Sequence, residues 1–168
     1  MSALKYFAYG SNMSSARLLA RTPSAHSLGI HVLPRHQLLF HKAGKDGSGK
    51  CNAFYSGNEQ HSVIGILYEL DGAEKPILDR IEGVGWGYEI SQVQVSCPEG
   101  VLHSCFTYSA IRIAENLPPY TWYLNHVLTG ARAARLPHDY VADIAATPAT
   151  QDPDKKRHNL EMSLYQSP

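Results

Sequence analysis

The order of elements in this sequence predicts an α+β fold, and three observations carry that reading. A lone apolar strand near the N-terminus stops at Gly10-Ser11-Asn12 and hands over to a helix. Further along, strands come as hairpin-like pairs with helices between them. The regular strand–helix–strand alternation of a parallel sheet is missing, as are internal repeats.

Residues 4–9, apolar and aromatic-rich, suit the first strand. Ser14 or Ser15 then caps a short helix to about residue 21, and Pro23 stops it. Over residues 30–41 apolar side chains recur at two-residue spacing, which predicts a strand broken near Pro34. Residues 42–50 (KAGKDGSGK) read as an exposed flexible loop. Residues 52–56 and 62–70 read as two strands around the turn at Gly57-Asn58. Asp71 and Glu74 have the spacing of a capping box, opening a helix that carries Pro76 early and runs to Glu82. Residues 88–96 (YEISQVQVS) alternate apolar with polar and predict a half-buried strand. A turn at Pro98-Glu99-Gly100 pairs it with residues 101–109 as a hairpin. Residues 120–129 and 138–146 read as helices, and from Pro148 onward the chain is polar and expected to be poorly ordered.

Composition narrows the function classes. With 168 residues, 43% hydrophobic and 18% charged, the chain can bury a core as one domain and is not a disordered segment. Fifteen basic and fifteen acidic residues cancel, with no basic stripe, so nucleic acid is not an expected partner. No apolar run approaches a membrane span and no charged-then-apolar leader opens the chain; the expected setting is cytoplasmic, away from the membrane. Cys51, Cys97 and Cys105 are an odd count without CxxC spacing; free thiols are expected, although Cys97 and Cys105 flank a turn that could pair them. The nine histidines show no paired metal-ligand spacing, His126 reads as packing or solvent-facing, and 152–158 (DPDKKRH) reads as a solvated run. GxSxG, Walker and dinucleotide-binding signatures are missing.

Two features carry chemistry. A strand-to-helix turn at Gly10-Ser11-Asn12 leaves backbone N–H groups without helical partners, a cradle for a carboxylate or carbonyl oxygen, although such a tripeptide is by itself more often a plain turn. The second is Glu82, ending an amphipathic helix ahead of a loop with three glycines, Trp86 and Tyr88. A carboxylate partly desolvated by those aromatics suits a general base; taken alone, it reads more often as a solvated helix end. Glu89, at the head of an alternating strand, ranks below it.

Tyr9-Gly10-Ser11-Asn12-Met13, then Glu82-Gly83-Val84 with Tyr88 behind it, closely resembles the signature of the γ-glutamylcyclotransferase family, the fold of the AIG2-like proteins. The likeness continues through Gly65-Ile66-Leu67-Tyr68-Glu69-Leu70, similar to the family's central strand, and through Tyr123, Gly130-Ala131, Leu136-Pro137 and Tyr140, so it spans roughly residues 5–144. The resemblance implies a mixed, strongly curved sheet forming a small barrel-like core with surrounding helices. It places that domain at residues 1–147 and leaves 148–168 as a polar tail. It implies an enzyme in which the α-amine of a γ-glutamyl compound attacks its own γ-carbonyl, releasing 5-oxoproline and an amino acid or amine. Glu82 falls on the family's general acid/base, and Gly10, Ser11 and Asn12 on the turn that holds the glutamyl group. Tyr9 shapes that turn, Met13 stands where many relatives carry leucine, and Tyr88 and Tyr123 line the substrate pocket. Cofactor and metal are not called for; the partner is a small γ-glutamyl substrate, selected by loops such as 42–50, and a homodimer is compatible because some relatives dimerise. The alternative is a module that binds a small carboxylate or amine without turnover, for which a base at Glu82 would serve no purpose.

Overall fold

The computed structural model describes residues 2–167. Five strands close into a barrel: β1 (Ala3–Ala8), β5 (Ser62–Asp71), β2 (His26–Pro34), β6 (Tyr88–Ser96) and β7 (Leu102–Ala110), hydrogen-bonded in that order. β1 runs antiparallel to β5 with Tyr6 opposite Tyr68, and a single parallel bridge from Tyr6 to Phe106 of β7 closes the ring. The interior is filled by alternate side chains of the closed sheet, with Phe7, Val63, Leu67 and Val95 fully buried. The mixed, strongly curved, barrel-like α+β fold is therefore what this sequence adopts.

Local chemistry explains most boundaries. The alternation of residues 88–96 becomes β6, and its hairpin partner β7 pairs with it from Tyr88 opposite Ala110 to Ser96 opposite Leu102. Beyond Pro34 the chain turns at Arg35, which adopts φ 61°, and β3 (His36–Ala43) leaves the barrel. β3 pairs with β4 (Gly49–Tyr55) in a two-stranded arm, so the strands on either side of Gly57-Asn58 lie in different sheets. Ala110 N–H donates to Asn52 Oδ1 at 2.9 Å and Ala43 N–H to the Arg112 carbonyl at 2.8 Å, tying the arm to the segment after β7.

Residues 42–50 are not the exposed loop expected. Lys42 and Ala43 end β3, Gly49 and Lys50 begin β4, and Ser48 between them is fully buried. Asp46 organises the turn, accepting from Ser48 N–H and Oγ with Oδ1 and pairing with Lys50 Nζ at 2.7 Å with Oδ2. The lysines that suggest solvent lie instead over aromatic faces.

Five helices surround the barrel. Ser14 caps α1 (Ser15–Arg21), its hydroxyl accepting from Arg17 N–H. α2 (Lys75–Glu82) has no capping box: Asp71 caps the 3-10 turn before it, while Glu74 turns away to accept from Ser24 N–H and Oγ. α3 (Thr121–Ala133) packs on the turn after β1, and Gly130 is the contact point. An added Cβ there would fall 2.3 Å from the Met13 carbonyl carbon and 2.4 Å from Ser14 N. α4 (His138–Ala145) follows. α5 (Lys155–Met162) lies in the region expected to be poorly ordered, capped by Asp154 through Lys156 and Arg157 N–H.

That tail is held by polar contacts that composition does not reveal. Asp152, 5% exposed, accepts from Trp122 Nε1 at 2.7 Å and from the Arg157 guanidinium at 2.6 Å, so the run 152–158 is docked, not solvated. Glu161 pairs with Arg17 at 2.6 Å and lies 2.8 Å from Nε2 of His126, which is completely buried. Tyr165 OH reaches Ser14 Oγ at 2.8 Å and His126 Nδ1 at 2.5 Å. Among the described residues no helix is long and apolar enough to cross a membrane. The three cysteines are free, Cys51 and Cys105 being buried.

Candidate active site

The turn after β1 is built from short-range bonds. Ser11–Met13 form a single 3-10 turn in which Met13 N–H donates to the Gly10 carbonyl at 3.1 Å and Ser14 N–H to the Ser11 carbonyl at 3.2 Å. The N–H groups of Gly10, Ser11 and Asn12 have no protein acceptor among the described residues. Gly10 is required by space: a Cβ there would meet Cys51 Cβ at 2.9 Å and Tyr123 OH at 3.5 Å. The close approach is thus to strand β4, a protein neighbour. Met13 faces away, 1% exposed, beneath Gly130.

Glu82 arrives from the opposite side. It is the last residue of α2, and Gly83 ends the helix in the left-handed region at φ 75°. The loop folds back on the Gly83 carbonyl, which accepts from Trp86 N–H at 3.0 Å and Gly87 N–H at 2.9 Å, and β6 then starts at Tyr88. Glu82 Oε1 accepts from Asn12 Nδ2 at 2.8 Å and from Arg21 at 2.9 Å, while Arg21 also donates to Asn12 Oδ1 at 3.0 Å. These three side chains close a triangle joining the turn, α1 and α2. Oε2 takes no hydrogen bond from the described residues. The Arg21 and Glu82 side chains are 17% and 16% exposed, so the pair is well shielded. Burial and the neighbouring Arg17 pull the Arg21 guanidinium below its ordinary value, with Glu82 opposing; the group stays a cation.

Between them lies a recess of about 290 Å³ including its open mouth, of which about 20 Å³ is deep enough to seat a water. It is lined by Tyr6, Tyr9, Gly10, Ser11, Asn12, Cys51, Glu82, Tyr88, Tyr108 and Tyr123, so five of the chain's ten tyrosines form its walls. Most of their hydroxyls are already engaged. Tyr9 OH donates to the Tyr108 carbonyl, Tyr88 OH to the Cys51 carbonyl at 2.7 Å, and Tyr108 OH to Asp79 at 2.7 Å. Tyr123 OH accepts from Cys51 N–H at 2.9 Å, and Tyr6 OH accepts from Asn12 Nδ2 at 3.0 Å. Burial raises all five phenols above their ordinary value, so they act as neutral walls. Burial likewise pushes the Cys51 thiol up to about 12, which disqualifies it as a nucleophile. Among the described residues no three His, Cys, Asp or Glu side chains gather as a metal-binding group.

Glu82, Tyr9, Gly10, Ser11, Asn12, Tyr88 and Tyr123 thus meet around one recess, and Met13 does not. Trp86 does not line it either: its ring is bordered by Lys45 and Arg112, and the aromatics beside Glu82 are tyrosines. Glu89 is exposed. Sequence reasoning missed Arg21, Tyr6, Tyr108 and Cys51. Arg21 had a readable signal, since it closes the short helix that begins at the cradle, four residues beyond Arg17. Cys51 had none, because only the folding of the arm brings it under Gly10.

Comparisons with known proteins bear on the family and the fold. Residues 62–144 match the AIG2-like family model. The human γ-glutamylcyclotransferase is 31% identical over 147 residues, 84% of this chain and 77% of the human protein. The Bos taurus γ-glutamylcyclotransferase is 32% identical over 141 residues, covering 80% of this chain and 73% of its own. A solved γ-glutamyl cyclotransferase structure superposes with a TM-score of 0.85 at 24% identity, covering 96% of this chain and 99% of that one, which speaks to the fold. With relatives this similar over most of their length, and a barrel of the same architecture, the chain belongs to the γ-glutamylcyclotransferase family of enzymes.

Proposed function

We propose that the recess converts γ-glutamyl compounds to 5-oxoproline and a free amino acid or amine, with Glu82 as the general acid/base. The observation that carries this reading is the Glu82 carboxylate. One oxygen is pinned by Arg21 and Asn12, the other is without a protein partner among the described residues, and Glu82 lines the same cavity as the Gly10–Asn12 turn.

The chemistry needs little else. The α-amine and γ-carbonyl belong to one molecule, so closing a five-membered ring is intramolecular and its effective molarity is high once the chain is folded. The N–H groups at Gly10, Ser11 and Asn12, free of protein acceptors, suit a carboxylate or the oxyanion that forms at the γ-carbon. Glu82 Oε2 takes a proton from the α-ammonium; the amine attacks, the new C–N bond forms, and the γ-amide C–N bond breaks as the departing nitrogen is protonated. The ammonium gives up two protons in becoming a lactam N–H and the departing nitrogen gains two in leaving as an ammonium, so the step is proton-neutral. The tyrosine walls limit water around the reacting groups.

Purified protein incubated with γ-glutamyl dipeptides and amines, with 5-oxoproline measured, tests the proposal. Release of 5-oxoproline supports it. Ligand binding without release across the whole panel would make the site a binding module instead.

A further inference from the structure

Next to the recess lies a cation with no counter-charge. Lys42, on β3, is 7% exposed, yet its ammonium has no carboxylate within 4.0 Å and no hydrogen bond among the described residues. It rests 4.7 Å above the ring of Tyr88, which also lines the recess, and 5.7 Å from the Trp86 ring. Space for it is built in. Gly87 passes directly under the side chain, and a Cβ there would fall 2.7 Å from both Cε and Nζ. Two more cations border Trp86: Lys45 Nζ at 4.7 Å, and the Arg112 guanidinium at 4.4 Å, whose Nε donates to the Trp86 carbonyl at 2.9 Å. Neither forms an ion pair among the described residues.

The charges facing Lys42 are few. Asp46 is committed to Lys50 and Ser48, and Glu82 to Arg21. Burial pulls the ammonium below the ordinary lysine value, with Glu82 acting in the opposite direction. The side chain is mostly shielded while its ammonium keeps solvent contact and has no carboxylate partner, so an anion can reach it and is favoured there. Lys42 and the recess thus share the Tyr88 ring. If the glutamyl half occupies the turn, the atoms that reach Lys42 belong to the group being released.

We propose that Lys42, flanked by Trp86, Lys45 and Arg112, seats the carboxylate of the departing amino acid and so selects γ-glutamyl amino acids over γ-glutamylamines. This rests on the cyclisation proposed above. The test compares γ-glutamyl-alanine with γ-glutamyl-ethylamine, whose leaving groups differ only by that carboxylate, and reads the ratio of their kcat/KM values by 5-oxoproline release. The unaltered protein should prefer the alanine compound, and Lys42→Met should lower the ratio by about 10- to 100-fold, the range for losing a desolvated charge pair. If that variant does not fold, the exposed pair Lys45→Gln with Arg112→Gln should lower the ratio about threefold, as expected of rim charges. An unchanged ratio in the variant that folds overturns the proposal. Activity lost equally on both substrates also overturns it, by assigning Lys42 to the glutamyl half. No 5-oxoproline from either substrate would overturn the cyclisation itself, and this assignment with it.

Discussion

Helix α1 carries two arginines one turn apart, and each meets a glutamate. Arg17 pairs with Glu161 of the tail and Arg21 with Glu82 of the recess, at 2.6 and 2.9 Å. Around Glu161 the partners meet at one oxygen: His126 lies against the same Oε2 as Arg17, and Tyr165 closes the other side of the imidazole. Although burial works against it, the His126 contact and the Arg17 charge hold the Glu161 carboxyl down at about 2. Around Glu82 the partners likewise crowd one oxygen, but the residue also borders the recess. The same ion pair is thus a clamp in one place and, in the function proposed above, a held base in the other. What separates them is the recess beside Glu82.

The sharpest way to break that contrast is Glu82→Gln. It keeps the shape and a hydrogen-bond acceptor toward Arg21 but cannot carry a proton. 5-Oxoproline release should fall by about 10²–10⁴-fold with little change in Tm; near-normal turnover would move the proton work elsewhere. Arg21→Leu comes next: the base remains but loses its orientation, and kcat/KM should drop about 10–100-fold, chiefly through kcat. Gly130→Ala attacks the shared support instead, since its methyl would enter the Met13–Ser14 backbone. A loss of about 2–3 kcal/mol in unfolding free energy is expected by denaturant titration. On the clamp side, Glu161→Gln should cost about 1–2 kcal/mol of stability and change turnover less than threefold.

The smallest effect is a pH dependence. Because the folded state depresses the Glu161 carboxyl, its stabilisation is fully present above the ordinary carboxylate value and is lost as pH falls toward about 2. Proteolysis of the tail between pH 5 and 2.5 should therefore rise in the unaltered protein, and rise less steeply in Glu161→Gln.

Where the sequence was readable, the signal was local. The apolar–polar pattern of residues 88–96, which shifts phase at Ser91-Gln92, matched β6 at both ends, and Ser14 announced α1 because a cap is a three-residue event. The turn and Glu82 were recognisable as motifs, and the fold brings them together. What was hidden is non-local. Glu161 and Tyr165 look like solvated tail residues until their partners are known: Arg17 and Ser14, over a hundred positions away, and His126, 35 and 39 positions away. Lys42 and Lys50 look like loop lysines until the aromatic faces beneath them appear. Glu74 had the spacing of a cap, but Ser24 offered it a better pair of donors.

The seating of α3 on the turn has a practical consequence. Gly130 leaves no slack between that helix and the peptide linking Met13 to Ser14, and α5 with the 3-10 turn after it grips the same corner through Arg17 and Ser14. Trimming the chain after residue 147, or fusing a bulky tag that pries α5 loose, would therefore unseat the turn that borders the recess. Engineers who need a handle on this protein should leave that end alone.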